Sequence, residues 1–96
     1  MRNENEELVN EQMQRFMGKI AAGELNHLSL CERGLLYTLI GKSAEEAVIG
    51  EVEDSLPDSK DSLRRHLNAL IDEGYVMLAP TDAGKQISKK HYSVNI

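Results

Sequence analysis

Residues 58–74 constrain the fold of this chain more than any other segment, because they contain a complete set of helix signals. Asp58 or Ser59 can accept hydrogen bonds from the free N–H groups of a first helical turn. Gly74 is the residue type that ends a helix in a left-handed conformation. Four apolar residues between these ends have spacings that gather them on one side of a helix. They are Leu63, Leu67, Leu70 and Ile71.

The other side of this predicted helix is polar and partly basic. Arg64 falls on the flank of the apolar stripe and Arg65 on the opposite face. This side could meet a polyanion. The alternative is a solvated helix edge, in which Asp61 pairs with Arg64 or Arg65 at helical spacing and contributes little energy. The polar candidates are Ser59, Lys60, Ser62, Arg64, Arg65 and Asn68.

Residues 4–22 predict an amphipathic helix with a narrow apolar stripe. Spacings of four and three suit either docking on the rest of the chain or pairing with a second copy. We predict the second arrangement, a homodimer, because the later segments already supply a complete domain. The predicted interface residues are Val9, Met13, Phe16, Met17 and Ile20.

The middle of the chain predicts two further helices. Ser29 and Glu32 have the capping-box spacing, in which each side chain satisfies a backbone N–H at a helix start. Residues 47–49 predict a brief strand, after which Gly50 caps a short helix over residues 51–56. Pro57 ends that helix, so only a short turn separates it from the segment that follows.

The last part of the chain predicts a hairpin. Residues 75–78 and 87–94 favour strands, and the loop between them contains Pro80, Asp82 and Gly84. The predicted fold is therefore mainly α with a small β-hairpin, in the element order of a winged helix-turn-helix. We assign residues 1–27 to an N-terminal helix and linker, and residues 28–96 to the winged helix-turn-helix domain.

Charge and composition narrow the class of protein. The net charge is −5, and residues 1–57 hold five Lys and Arg against eleven Asp and Glu, whereas residues 58–96 hold six against five. Such a chain does not coat nucleic acid by charge alone. No metal-ligand spacing, phosphate-binding loop or catalytic motif occurs, so neither a cofactor nor an enzyme is expected. The lone Cys31 and the lack of a long apolar run predict a soluble, cytoplasmic protein without a membrane partner.

Residues 28–94 resemble the winged helix-turn-helix domains of bacterial, phage and plasmid replication organisers and related regulators. The resemblance lies in the sequences LSLCERGLLYTLIG, IGEVEDSLPDSKDSLRRHLNALIDEGYV and KQISKKHYSVN. It implies that the helix beginning at Ser59 enters the major groove of duplex DNA, where Arg suits guanine and Lys suits phosphate. It also implies that the wing contacts the DNA backbone. The implied wing contacts are Lys85, Lys89, Lys90 and His91.

Acidic residues near these positions lead to two hypotheses about function. Glu51, Glu53 and Asp54 precede the proposed recognition helix, and Asp82 lies in the wing, where carboxylates oppose DNA binding. The first hypothesis is a sequence-selective DNA-binding regulator or replication accessory protein. The second is an adaptor or inhibitor, of a phage or plasmid type, that binds another protein through its acidic surface.

Overall fold

The computed structural model describes residues 4–43 and 48–96, and this part of the chain is mainly helical with a small antiparallel sheet. The fold class predicted from the sequence is confirmed at this level. The helices and strands, in chain order, are α1 (Glu4–Ala21), α2 (Leu30–Lys42), α3 (Ile49–Ser55), α4 (Lys60–Asp72), β1 (Val76–Leu78) and β2 (Tyr92–Val94).

The ends of α4 follow the local signals of the sequence. The Ser59 hydroxyl accepts a hydrogen bond from the Ser62 N–H at 3.3 Å. Gly74 has a φ of +84°, and the next N–H, of Tyr75, donates to the Leu70 carbonyl at 3.0 Å. This is the hydrogen-bond pattern of a glycine-terminated helix, so both predicted boundaries are confirmed.

α2 begins at the predicted cap but uses Glu32 differently. Ser29 accepts a hydrogen bond from the Glu32 N–H at 3.1 Å, as expected. The Glu32 carboxylate accepts from the Ser29 hydroxyl, also at 3.1 Å. At the other end of α2, the Tyr92 hydroxyl donates to the carbonyl of Leu39. A carbonyl in the last turn of a helix lacks a donor from its own helix. A residue of β2 therefore supplies the missing donor at the end of α2.

A single apolar core joins α1, α2 and α4, and α2 lies between the other two helices. Leu36, Leu39 and Ile40 of α2 have no exposed surface. Residues of the predicted N-terminal unit contribute to the same core. The buried apolar residues are Phe16, Leu25, Leu28, Leu35, Leu36, Leu39, Ile40, Ile49, Val52, Leu63, Leu67, Leu70, Val76, Tyr92 and Val94.

The apolar stripe of α1 packs within the chain, which corrects its assignment to a dimer interface. Phe16 is 3% exposed, whereas Met17 is 59% exposed. The Gln12 amide on the same helix donates to the Val94 carbonyl at 2.8 Å. α2 offers α1 an apolar surface in the same molecule, so a partner is not needed to cover the stripe. Three other residues of the stripe, Val9, Met13 and Ile20, are partly buried and pack against the core.

The hairpin is shorter than predicted. Val76 pairs with Val94 and Leu78 with Tyr92, while Val48 adds a single antiparallel bridge to His91. Of the strand predicted over residues 47–49, Val48 forms this bridge and Ile49 begins α3, while residue 47 lies outside the described residues.

A second correction concerns residues 87–91, where a strand was predicted. Ile87–Lys89 forms a 3-10 turn that packs on α3, so the return strand begins only at residue 92. Gly50 explains the contact: a Cβ at this position would lie 2.6 Å from the Ser88 carbonyl oxygen. Gly50 therefore lies inside α3, where its lack of a side chain lets the Ser88 backbone approach the helix closely. The N-cap residue of α3 is Val48.

Candidate nucleic-acid interface

Three of the predicted contact residues of α4 are exposed, two on its outward face and one in its first turn. Burial of Leu63 and Leu67 fixes the rotation of the helix. Arg65 and Asn68 then lie on the outward side, whereas Lys60 is exposed in the first turn, at the end of the apolar stripe. Neither cation forms an ion pair within residues 4–43 and 48–96. This surface has free donors of the kind that contact bases and phosphates.

The first turn of α4 adds hydroxyl groups and a helix N-terminus. Ser59 is exposed and Ser62 is half-buried, and the Ser59 oxygen is already used as the cap. The positive end of the helix dipole favours an anion here. Asp58 and Asp61 are exposed in the same turn and oppose that effect. The two carboxylates therefore reduce the attraction of this helix end for an anion.

Arg64 is not part of this free surface, because it pairs with Glu53. Its Nε lies 3.3 Å from the Glu53 Oε2, and the Glu53 side chain is 4% exposed. A buried carboxylate needs a counter-charge, and Arg64 supplies it. From the sequence, we expected Arg64 either to pair with Asp61 or to contact DNA, and we expected Glu53 to lie near the phosphates. The structure instead joins the two residues across the contact between α3 and α4.

The wing loop is closed by a buried acid. Asp82 is 3% exposed, and its Oδ2 accepts from the backbone N–H of His91 at 2.7 Å and contacts the His91 Nδ1 at 2.9 Å. The Lys85 ammonium donates to the Oδ1 at 2.9 Å. Two of the four predicted wing contacts thus hold Asp82. This carboxylate was expected to face DNA, and the fold turns it inward.

These hydrogen bonds make Asp82 an unusually strong acid. The backbone N–H of His91, the Lys85 ammonium and the His91 ring hold the pKa of Asp82 well below its ordinary value of 3.8. Burial acts in the opposite direction and is outweighed. Asp82 therefore stays ionised at neutral pH and ties both ends of the wing loop together.

Lys89 and Lys90 are the two remaining cations of the predicted wing. Lys89 ends the 3-10 turn and is exposed, whereas Lys90 is half-buried and its carbonyl accepts from the Ile49 N–H at 3.0 Å. Neither residue lies in the strand that was predicted over residues 87–94, because the turn replaces this part of it. Lys89 is the more accessible of the two.

Sequence reasoning missed the structural roles of Glu53 and Asp82. Lys85 follows Asp82 by three residues, a spacing that could have indicated their pairing. The partner of Glu53 is eleven residues away in another helix, and no local spacing indicates it. Both acids neutralise cations that otherwise belong to the candidate interface.

Fold and site together define a small, mainly helical protein whose helix α4 has two exposed, unpaired cations. The sequence matches no protein-family model, and no curated protein or solved structure is significantly similar to it. No described helix is long and apolar enough to cross a membrane. The described residues also contain no group of three acidic, His or Cys side chains arranged to hold a metal ion.

Proposed function

We propose that this chain binds double-stranded DNA as a winged helix-turn-helix protein, in transcription regulation or as a replication accessory protein. The observation that supports this most is the exposed polar surface of α4, where Arg65 and Asn68 lie away from the buried stripe and Lys60 is exposed in the first turn. A single helix fits the width of the major groove of B-form DNA.

The order of the elements also supports the proposal. α2, the bridging residue Val48, α3, α4 and the β1–β2 hairpin follow one another as in a winged helix. Residues 56–59 form the short connection between α3 and α4. This connection and the packing of both helices on α2 are what a helix-turn-helix requires to present its second helix.

Each polar residue then has a specific role in the proposed complex. Arg65 and Asn68 contact base edges, because a guanidinium suits guanine and an amide suits adenine. Lys60 contacts a phosphate, and Lys89 adds a backbone contact from the wing. Arg64 positions α4 against α3 through Glu53 rather than contacting a base.

The proposal is tested by fluorescence anisotropy with random duplexes and with duplexes selected for binding, between about 50 and 200 mM salt. The variant Lys60→Gln/Arg65→Gln should lose about tenfold or more in affinity for the selected duplex. The matched control is Arg15→Gln/Lys19→Gln, which removes the same charge from α1 and should change affinity much less. Equal losses in both variants, or no duplex binding by the unaltered chain, contradict the proposal.

The wing is tested separately with Lys89→Gln/Lys90→Gln. Loss of phosphate contacts should lower affinity similarly for all duplexes and flatten the log-affinity against log-salt slope by roughly one per contact. A slope equal to that of the unaltered chain would remove the wing from the interface.

Dimeric binding stays a prediction within this proposal. Two copies of α4 about 34 Å apart would reach successive major grooves of one site. Of the five residues predicted for the interface, Phe16 is buried, Val9, Met13 and Ile20 are half-buried and Met17 is exposed, so we expect an interface to use further surface. Light scattering over a dilution series, with and without selected duplex, measures the assembly.

A protein-binding module is the second candidate function. The observation that favours it is the pairing of Arg64 with Glu53 and of Lys85 with Asp82, which removes two cations from the candidate interface. The anisotropy experiment separates the candidates, because a module of this kind does not bind the duplex.

A further inference from the structure

A shallow apolar groove lies between α1 and α2, on residues that the proposed DNA contacts do not use. Phe16 lies buried in it at 3% exposure, whereas Leu30 is 78% exposed and Tyr37 is 54% exposed. Met17, next to Phe16 along α1, is 59% exposed. The residues that line the groove are Phe16, Ile20, Leu30, Arg33, Gly34 and Tyr37.

Arg33 is the charged residue of this lining, and its guanidinium is not satisfied. The Nε is buried and has no hydrogen-bond partner, and the group forms no ion pair within residues 4–43 and 48–96. A buried donor on a charged group is costly to leave unpaired. Because the Nε is closed to solvent, a carboxylate from outside the groove would pair with the terminal nitrogens of this half-buried guanidinium in charge-assisted hydrogen bonds.

The spacing along α2 gives the size of the site. Leu30 and Tyr37 are seven residues apart, which is two helical turns or about 10 Å, and Arg33 lies between them. An amphipathic helix places apolar side chains at the same intervals and a polar side chain between them. The groove thus combines two exposed apolar anchors with one cation at helical spacing.

We propose that this groove binds an acidic amphipathic helix of a partner protein. Large apolar side chains of that helix pack over Phe16 between Leu30 and Tyr37, and a Glu or Asp of the helix pairs with Arg33. This surface goes beyond DNA binding and does not depend on it.

A second copy of this chain fits the groove less well. An isologous contact between two α2 helices through Leu30 and Tyr37 has its two-fold axis near Gly34, midway between these anchors. The adjacent Arg33 of each copy is then brought close to the other. Like charges held together in an apolar contact are costly, whereas an acidic helix gains from the same cation.

The test selects peptides of about 16 residues from a random display library against the full chain, a length that allows four helical turns. Enriched peptides should have apolar residues at helical spacing with an acidic residue between them. One enriched peptide is then labelled, and its affinity is measured by anisotropy beside its Glu-to-Lys version. Arg33→Glu should bind the original peptide at least tenfold more weakly and should gain affinity for the Lys version.

Leu30→Ser gives an independent measurement, since this exposed side chain can be changed without opening the core. This substitution should also lower the affinity for the peptide at least tenfold, and the circular dichroism spectrum of the chain should be unchanged. Lys60→Gln/Arg65→Gln is the control and should bind the peptide like the unaltered chain. The proposal is overturned if no peptides are enriched, if they lack an acid, or if Arg33→Glu binds both versions equally. The proposal is also overturned if the chain self-associates and Leu30→Ser abolishes this self-association, because a second copy of the chain would then be what binds the groove.

Discussion

Arg64 in α4 lies 3.3 Å from Glu53 in α3, measured from Nε to Oε2, and this pair joins the two helices on either side of the turn at residues 56–59. The Glu53 side chain is 4% exposed and that of Arg64 is 42% exposed. The Glu53 Oε1 is buried and has no hydrogen-bond partner in the described chain. Arg64 is thus the main compensation for a buried negative charge.

The first prediction is that Arg64→Gln destabilises the fold. The free energy of unfolding in urea should fall by about 1–3 kcal/mol, less than for a fully buried pair because Arg64 is partly exposed. Adding Glu53→Gln should restore much of the loss, and a double-mutant cycle measures the coupling. Arg65→Gln is the matched control and should change stability by less than about 0.5 kcal/mol. Equal effects of the two Arg substitutions would show that the pair contributes nothing.

The second prediction concerns Asp82 and pH. Its pKa in the folded chain is below the ordinary value of 3.8, so the unfolded chain binds more protons as the solution becomes acidic. The ionised Asp82 carboxylate therefore stabilises the fold fully at pH values above its ordinary pKa. This stabilisation is lost as the pH falls toward the pKa of Asp82 in the folded chain. Asp82→Asn removes it at every pH.

Urea unfolding of the unaltered chain and of Asp82→Asn at a series of pH values measures this contribution. The unaltered chain should be the more stable at neutral pH, and the difference should narrow steadily below about pH 4. A difference that is constant across this range would mean that the Asp82 carboxylate is not selectively stabilised in its ionised form.

The third prediction is that Phe16 stabilises the fold of the monomer. Phe16→Ala should lower the free energy of unfolding by about 3–5 kcal/mol, as expected for removing a buried ring. The neighbouring Met17→Ala, at an exposed position, should change it by less than about 0.5 kcal/mol. The Phe16 effect should be the same at all protein concentrations, whereas a stripe buried between two copies would give a concentration-dependent loss.

The fourth prediction uses two glycines in helices. Gly50→Ala should destabilise the fold by about 1–3 kcal/mol, because the new Cβ would lie 2.6 Å from the Ser88 carbonyl oxygen. Gly18→Ala in α1 is the matched control: apart from adjacent residues and the backbone of its own helix, nothing described lies within 4 Å of the added Cβ, so it should stabilise by about 0.5–1 kcal/mol. Thermal unfolding followed by circular dichroism compares them. Stabilisation by both substitutions would contradict the close packing of α3 on the 3-10 turn.

Most of the helical framework could be predicted from the sequence because its signals are local. Ser59 and Gly74 act on backbone groups within a few residues, and the Leu63, Leu67 stripe depends only on helical period. The exposed positions of Arg65 and Asn68 then follow from which face of α4 is buried.

The shorter elements were less predictable, since packing determines them. Gly50 was expected to cap α3, but its small size instead admits the Ser88 carbonyl. The residues preceding Tyr92 favour a strand by composition, yet they form a turn that packs on α3. In each case a contact between distant segments outweighs a weak local preference.

By itself, the sequence determined where α4 begins and ends and which of its faces is apolar, because hydrogen bonds and periodicity within the segment settle both. Only the tertiary structure decided which charges remain free. Glu53 meets Arg64 eleven residues away, and Asp82 meets His91 nine residues away, after packing has removed both acids from water. Phe16 likewise enters the core because α2 offers it an apolar surface, and helical spacing alone cannot distinguish that surface from a partner.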